Sequence, residues 1–321
     1  VHAKRPGQNF PQWIFSDGKK HQEFQSIVEK QANSSERAIL FTPDSSKLIY
    51  MGASGQKTFV VINGEVTEPG FMQITPRLIL SRQGGHVAIT GQADTDASQQ
   101  RTIIANGKRH ATTNTLRWDS FVFSPDASRF AWTINRTSPD YLFLDGTEQG
   151  YNGATILFAP NSRHVAVFGR HEKTNKWGIF MDDTLVHDGQ QQGTLMNYRG
   201  FTPDSRHFFW TSRQVRPGQR TAWSLNLNGK AVVTFERPNT GRPFLPSSYF
   251  RGGTTTFDQL PFAWEMDASG TLTFLEDTGD AIKRFRVTPT AESDIPRMIA
   301  AAKTAAATPP PAPSRKTKAK E

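Results

Sequence analysis

One ten-residue pattern returns through the chain and constrains its fold more than any other feature. It reads best as Phe41-Thr-Pro-Asp44-Ser-Ser-Lys-Leu-Ile-Tyr50 and as Phe123-Ser-Pro-Asp126-Ala-Ser-Arg-Phe-Ala-Trp132. It recurs as Phe158-Ala-Pro-Asn161-Ser-Arg-His-Val-Ala-Val167 and as Phe201-Thr-Pro-Asp204-Ser-Arg-His-Phe-Phe-Trp210. Two weaker copies align without gaps at Leu80–Ile89 and Trp264–Thr273. The six starts, at 41, 80, 123, 158, 201 and 264, are separated by 39, 43, 35, 43 and 63 residues. Periods of this length belong to arrays, in which one small unit buries its apolar faces only against its neighbours.

Each copy reads as strand, tight turn, strand. Pro fixes φ and cannot donate to a sheet ladder, and Asp or Asn followed by Ser bonds nearby amides, so the Pro-Asp pair ends one strand and opens a turn. A β-rich stretch such as Phe130-Ala-Trp-Thr-Ile134 then starts the next strand. A second signal alternates with the first: β-rich runs lead into Asp17-Gly18, Asn63-Gly64, Asn106-Gly107, Asp145-Gly146, Asp182-Asp183 and Asn228-Gly229. Such pairs supply the positive φ values of two-residue hairpins. Six hairpins match six Pro-Asp turns.

Four strands in about 40 residues, repeated six times, predict an all-β β-propeller of six four-stranded blades over 12–289. The first hairpin precedes every Pro-Asp turn and the last such turn has no Asn-Gly hairpin after it, so the N-terminal hairpin is expected to join the C-terminal blade and close the ring. Thr271–Glu276 and Ala281–Val287 both read as strands, which makes a seventh, partial blade the alternative. Residues 1–11 form an N-terminal extension. The long last interval holds an insertion, about 237–257, rich in Pro, Gly, Ser and Thr and expected as a surface loop. Over 290–321 the sequence predicts a short helix and then a disordered Ala/Pro/Lys tail, too poor in apolar residues to offset its ordering entropy.

The motif from Phe123 resembles the WD-repeat-like propeller repeats typified by the TolB propeller domain, in which an aromatic residue is followed by Ser-Pro-Asp-Gly and a cation. The resemblance covers about residues 12–287. The family's Gly after Asp is Ser45, Ala127, Ser162 or Ser205 here. It implies an architecture, and for function it implies a scaffold, adaptor, peptidase gate or lectin-like module, since fold alone does not carry activity.

Composition narrows the chemistry. There is no Cys, which excludes disulfides, thiolate nucleophiles and Cys-bound metal, and no apolar run of about 18 residues to span a membrane. The net charge of +9 sits mostly at the ends: +5 from Arg297 onward and +2 from Lys4 and Arg5, leaving +2 for the body. Nucleic acid is therefore expected only through the basic tail. The string Gly52-Ala-Ser54-Gly55 lacks the spacing of a nucleophile elbow, no phosphate-binding Gly motif occurs, and His171-Glu172 is not followed by a second His at zincin spacing. Asp94-Thr-Asp96 opens like a calcium loop, but Gln99 stands where Gly is required. No catalytic residue, cofactor or metal is assigned.

The candidate binding residues are of two kinds. Position seven of the motif holds Lys47, His86, Arg129, His164 and His207, a row of basic groups at equivalent turns. A wet-turn cation is the plain reading of this row, and a weak anionic or pH-sensitive contact face the functional one. Tyr249, Phe250 and Arg251 lie in the insertion, where a rigid scaffold would present a binding loop. Trp132 and Trp210 share one motif position, which marks packing between repeats. The resulting expectation is a monomeric, non-enzymatic scaffold or adaptor that binds a protein or peptide through loops at one mouth, in a periplasmic or otherwise exported setting. The alternative is a carbohydrate-binding or hydrolytic propeller with its site in the central channel. The first residue, Val1, fits a removed signal peptide and a trimmed chain equally.

Overall fold

The computed structural model describes residues 11–28, 38–72, 77–81, 85–92, 101–112, 115–116, 120–135, 140–189, 194–214, 221–237, 262–277, 282–290 and 294–307. The insertion residues Tyr249, Phe250 and Arg251, the acids Asp94 and Asp96, and the tail after 307 lie outside them. The described elements are antiparallel strands and one helix. They divide into two compact units, residues 1–163 with 169–175, and residues 164–168 with 176–321.

In the first unit, Phe15–Ser16 and Lys19–Lys20 pair around Asp17-Gly18 as a separate two-stranded sheet. The next sheet runs in chain order: Ser26–Ile27 and Ile39–Phe41 both pair with Leu48–Ser54, followed by Lys57–Ile62 and Glu65–Met72. A four-stranded sheet of Arg77–Leu80, Val87–Gln92, Arg101–Ala105 and Lys108–Thr112 comes after it. Then Thr115–Leu116 and Val122–Phe123 pair with Phe130–Asn135, which is followed by Asp140–Leu144 and Thr147–Phe158.

Period-two alternation explains why strands such as Leu48–Ser54 are buried on both faces. Leu48 and Tyr50 join Phe24 and Val61 in one cluster, while Ile49 and Met51 join Val60, Leu78 and Ile89 of the following sheet in another. The same handover brings Ala88, Ile103 and Ala105 against Phe121, Phe130, Trp132 and Ile134. Within this unit the three larger sheets thus cover one another in chain order. Gly52 has no side chain because the Phe24 ring lies on it: a Cβ there would stand 2.4 Å from the ring.

In the second unit, Lys176–Met181 pairs with Thr184–Asp188. Thr194–Phe201, Phe208–Gln214, Thr221–Leu227 and Lys230–Arg237 form a four-stranded sheet, and Phe262–Met266, Leu272–Asp277 and Ile282–Val287 form one of three. Phe209, Leu225 and Leu227 of the former pack on Leu272 of the latter. The helix Ile295–Ala307 buries Ile295 and Met298. Asp294 caps it, its carboxylate accepting from the Arg297 amide at 3.2 Å, and the Ile295 amide reaches the Arg206 carbonyl at 2.9 Å.

Candidate functional site

The Pro-Asp turn builds itself around the Asp carboxylate. In three copies the position-two hydroxyl donates to it: Thr42 to Asp44 at 2.5 Å, Ser124 to Asp126 at 2.8 Å and Thr202 to Asp204 at 2.6 Å. The position-six amide donates as well, at 3.0–3.1 Å from Ser46, Ser128 and Arg206. These donors favour the ionised form. The Thr42 hydroxyl, then the Ser46 amide and hydroxyl, pull Asp44 down to about 2. The Ser128 amide leads in holding Asp126 well below the usual carboxylate range. Position five, where the TolB-type repeats that the motif resembles have Gly, is held at positive φ without it: 58° at Ser45, 57° at Ala127, 63° at Ser162 and 62° at Ser205.

A second tie joins this turn to the hairpin turn of the same sheet. The first hairpin residue, also at positive φ, accepts the position-eight amide through its side chain. Asn63 takes Leu48 at 2.8 Å, Asp145 takes Phe130 at 3.0 Å, Asp182 takes Val165 at 2.9 Å and Asn228 takes Phe208 at 2.8 Å. The same side chains meet the position-seven groups. Arg129 donates Nε–H to Asp145 at 2.9 Å, His164 Nδ1 lies 2.6 Å from Asp182, and His86 Nδ1 lies 2.9 Å from Asn106. His207, buried, has Nδ1 2.8 Å from Asn228 Nδ2. Lys47 makes no such contact among the described residues. Four of the five candidate residues are thus engaged by the hairpin of their own sheet. The sequence showed the Asn and Asp residues as turn formers, but not as clips, because their partners lie about 15 to 20 residues away.

A further recurrence escaped the sequence reading. The third or fourth residue after three hairpins is a His that packs on the position-ten aromatic of the next motif copy. His21 stacks on Tyr50 at 5.9 Å, His110 lies over Trp132 at 5.7 Å and His187 over Trp210 at 5.3 Å. Gly146 gives His110 its room, since a Cβ there would come within 2.5 Å of the imidazole. Burial, with Lys108 adding to it, lowers His110, and burial lowers His187 despite the opposing Asp188. Burial also pushes Tyr50 up to about 12. The signal was present as a near-constant offset from the hairpin, three residues for His21 and His110 and four for His187, where a register shift in the pairing of Lys176–Met181 with Thr184–Asp188 adds one.

The Asp and Asn ties hold turns together by hydrogen bonds, and the His–aromatic contacts join successive sheets by ring packing. Among the described residues, no three His, Asp or Glu side chains converge as a metal site. No helix there is long and apolar enough to cross a membrane.

No protein-family model matches the chain, and no curated protein matches it. Solved structures similar to it are TolB and WD-repeat-type β-propeller domains. TolB from Acinetobacter baumannii is 9% identical, over 78% of this chain and 62% of that one, with a TM-score of 0.32. The Swd1 β-propeller domain of Myceliophteria thermophila is 11% identical, over 83% and 89%, with a TM-score of 0.32. An oligogalacturonate lyase in complex with manganese is 10% identical, over 84% and 80%, with a TM-score of 0.35.

Proposed function

We propose that the chain is a non-enzymatic β-propeller scaffold of six blades, closed by its N-terminal hairpin and binding a protein or peptide partner through loops at one mouth. The observation that carries this reading is the use of the recurrent polar groups. The motif Asp, the hairpin Asn or Asp and four of the five position-seven side chains are engaged in joining turns within their own sheets. That leaves the scaffold's loops as the variable part. Closure is supported by the sheet Phe262–Val287, which has three strands among the described residues, one short of its four-stranded counterparts. The TolB-type motif supports an exported, periplasmic setting.

Closure is tested in a chain that has no Cys of its own. Single cysteines along 15–20 paired with single cysteines along 282–287 should give an intramolecular disulfide at one register under mild oxidation. Absence of any crosslink across the scan overturns the ring. Partner binding is tested by photo-crosslinking from positions 249–251 in the native cell, with the captured protein then tested for direct binding as a pure component. A scaffold gives one saturable partner, and capture of none refutes the adaptor reading.

A further inference from the structure

The repeat fixes an inner slot two residues before position one, on or just before the strand that leads into each turn. It holds Ile39, Leu78, Phe121, Ile156 and Phe262 in five copies. Leu78, Phe121 and Ile156 are buried there. In the fifth copy the slot holds Arg199. A charge in an apolar core position is costly unless it is paired and hydrogen-bonded.

Arg199 is half-buried, and no ion pair reaches it among the described residues. Its guanidinium carbon lies 4.0 Å from the centroid of the Phe168 ring, so one flat face is covered by a cation–π contact. No carboxylate among the described residues forms an ion pair with it, and its guanidinium N–H groups make no hydrogen bond there. Burial alone lowers its affinity for the proton. The backbone has also been adjusted at this residue. The register between Thr194–Phe201 and Phe208–Gln214 shifts between Asn197 and Arg199, whereas the opening strands Arg77–Leu80 and Phe262–Met266 pair without a shift. A bulge of this kind re-aims a side chain.

The plane of the guanidinium substitutes for the flat or branched apolar groups of the other copies. Its N–H edge has no counterpart in them. Arginine carries five donors in a fixed fork whose spacing matches a planar carboxylate, which can accept two parallel bonds. We propose that Arg199 anchors a carboxylate-binding site, in which a ligand carboxylate takes the guanidinium N–H edge in a bidentate pair while Phe168 covers the guanidinium face. The inference does not depend on the adaptor reading, because a free carboxylate can occupy the site whether or not a protein partner exists.

The experiment uses the full chain and acetate as the probe, with chloride at equal ionic strength as the reference. The Arg199 Nε–H resonance, assigned by its loss in Arg199→Met, should shift saturably with acetate and stay fixed in chloride. The melting temperature should rise with acetate over chloride in the parent chain. In Arg199→Met the acetate effect should vanish, and the melting temperature in chloride should equal or exceed that of the parent. Arg199→Lys keeps the charge but loses the fork, and should bind acetate at least tenfold more weakly. The proposal fails if the resonance does not respond to acetate. It fails if Arg199→Met melts well below the parent in chloride, since a group of the chain would then already satisfy the guanidinium. Inorganic phosphate binding more tightly than acetate would overturn the carboxylate assignment.

Discussion

The sheet that begins near Ser120 and the sheet Thr194–Arg237 are two versions of one design. Both place a Trp at position ten under a His from the preceding hairpin, Trp132 with His110 and Trp210 with His187. Both tie the Pro-Asp turn to the hairpin through one polar side chain, Asp145 or Asn228. They differ at the inner slot, which is Phe121 in one and Arg199 in the other, and in the depth of the tie, since Asn228 is buried and Asp145 is not. Phe121 continues a stack with Phe130 and Trp132, ring planes within 12° of parallel. Arg199 stacks on Phe168. What repeats is therefore architecture, and what departs from the repeat is where a specific role has room to appear.

The largest effect expected from this comparison is at the inner slot. Phe121→Ala removes a buried ring from a well-packed column and should cost about 3–5 kcal/mol in chemical denaturation. Removing the side chain of Arg199 should cost far less, because its charge is not compensated where it lies. Equal losses at the two positions would mean that the slots are energetically alike.

The ties come next. Asn228→Ala leaves the buried Phe208 amide without an acceptor and should cost about 2 kcal/mol, as orphaned buried donors do. Asp145→Ala removes a partly exposed ion pair and an acceptor that water can replace, and should cost about 1 kcal/mol or less. A reversed order would refute the assignment of the deeper tie to the second unit.

The His–Trp pairs give both sheets the same acid limb. His110 and His187 have their folded pKa lowered below the ordinary 6.5. The unfolded chain therefore binds more protons in the interval between 6.5 and the folded values, and stability should fall as pH drops below 6.5. Well above 6.5 the two groups are neutral in both states and contribute no slope. Replacing both with Gln should flatten the fall between pH 6.5 and 5 in a series of denaturant midpoints. A slope unchanged by the double replacement would show that other groups carry it.

Much of this architecture was legible because it follows from local rules. Positive φ at Asn63, Asn106, Asp145 and Asn228 is what an Asn-Gly or Asp-Gly hairpin requires, and the two-faced burial of Leu48–Tyr50 follows from alternation. The ties were not legible, because the Phe208 amide and the Asn228 side chain are 20 residues apart and only the folded turn brings them to 2.8 Å. The charged inner slot was visible only once the strand register was known. Before that, Arg199 was one cation among 38. The motif lacks the Gly after its Asp, and the turn is kept all the same: Ser and Ala adopt the left-handed conformation that Gly would have taken freely.

That conformation supplies the smallest test, and it separates shared strain from a local contact. A left-handed non-glycine residue costs about 1–2 kcal/mol, while Gly carries an entropic cost of about 0.5–1 kcal/mol in the unfolded chain. Ser45 is exposed, and among the described residues only its backbone amide is engaged, with Thr42 O at 2.7 Å. Ser45→Gly should therefore stabilise by about 0.5 kcal/mol. At Ser162 the same relief is opposed, because its hydroxyl accepts from the Asp126 amide at 3.0 Å and helps hold one turn to the next. Ser162→Gly should gain nothing or lose about 0.5 kcal/mol, by the net worth of a hydrogen bond. If both replacements stabilise equally, the Ser162 contact contributes no stability, and the turns are independent of one another.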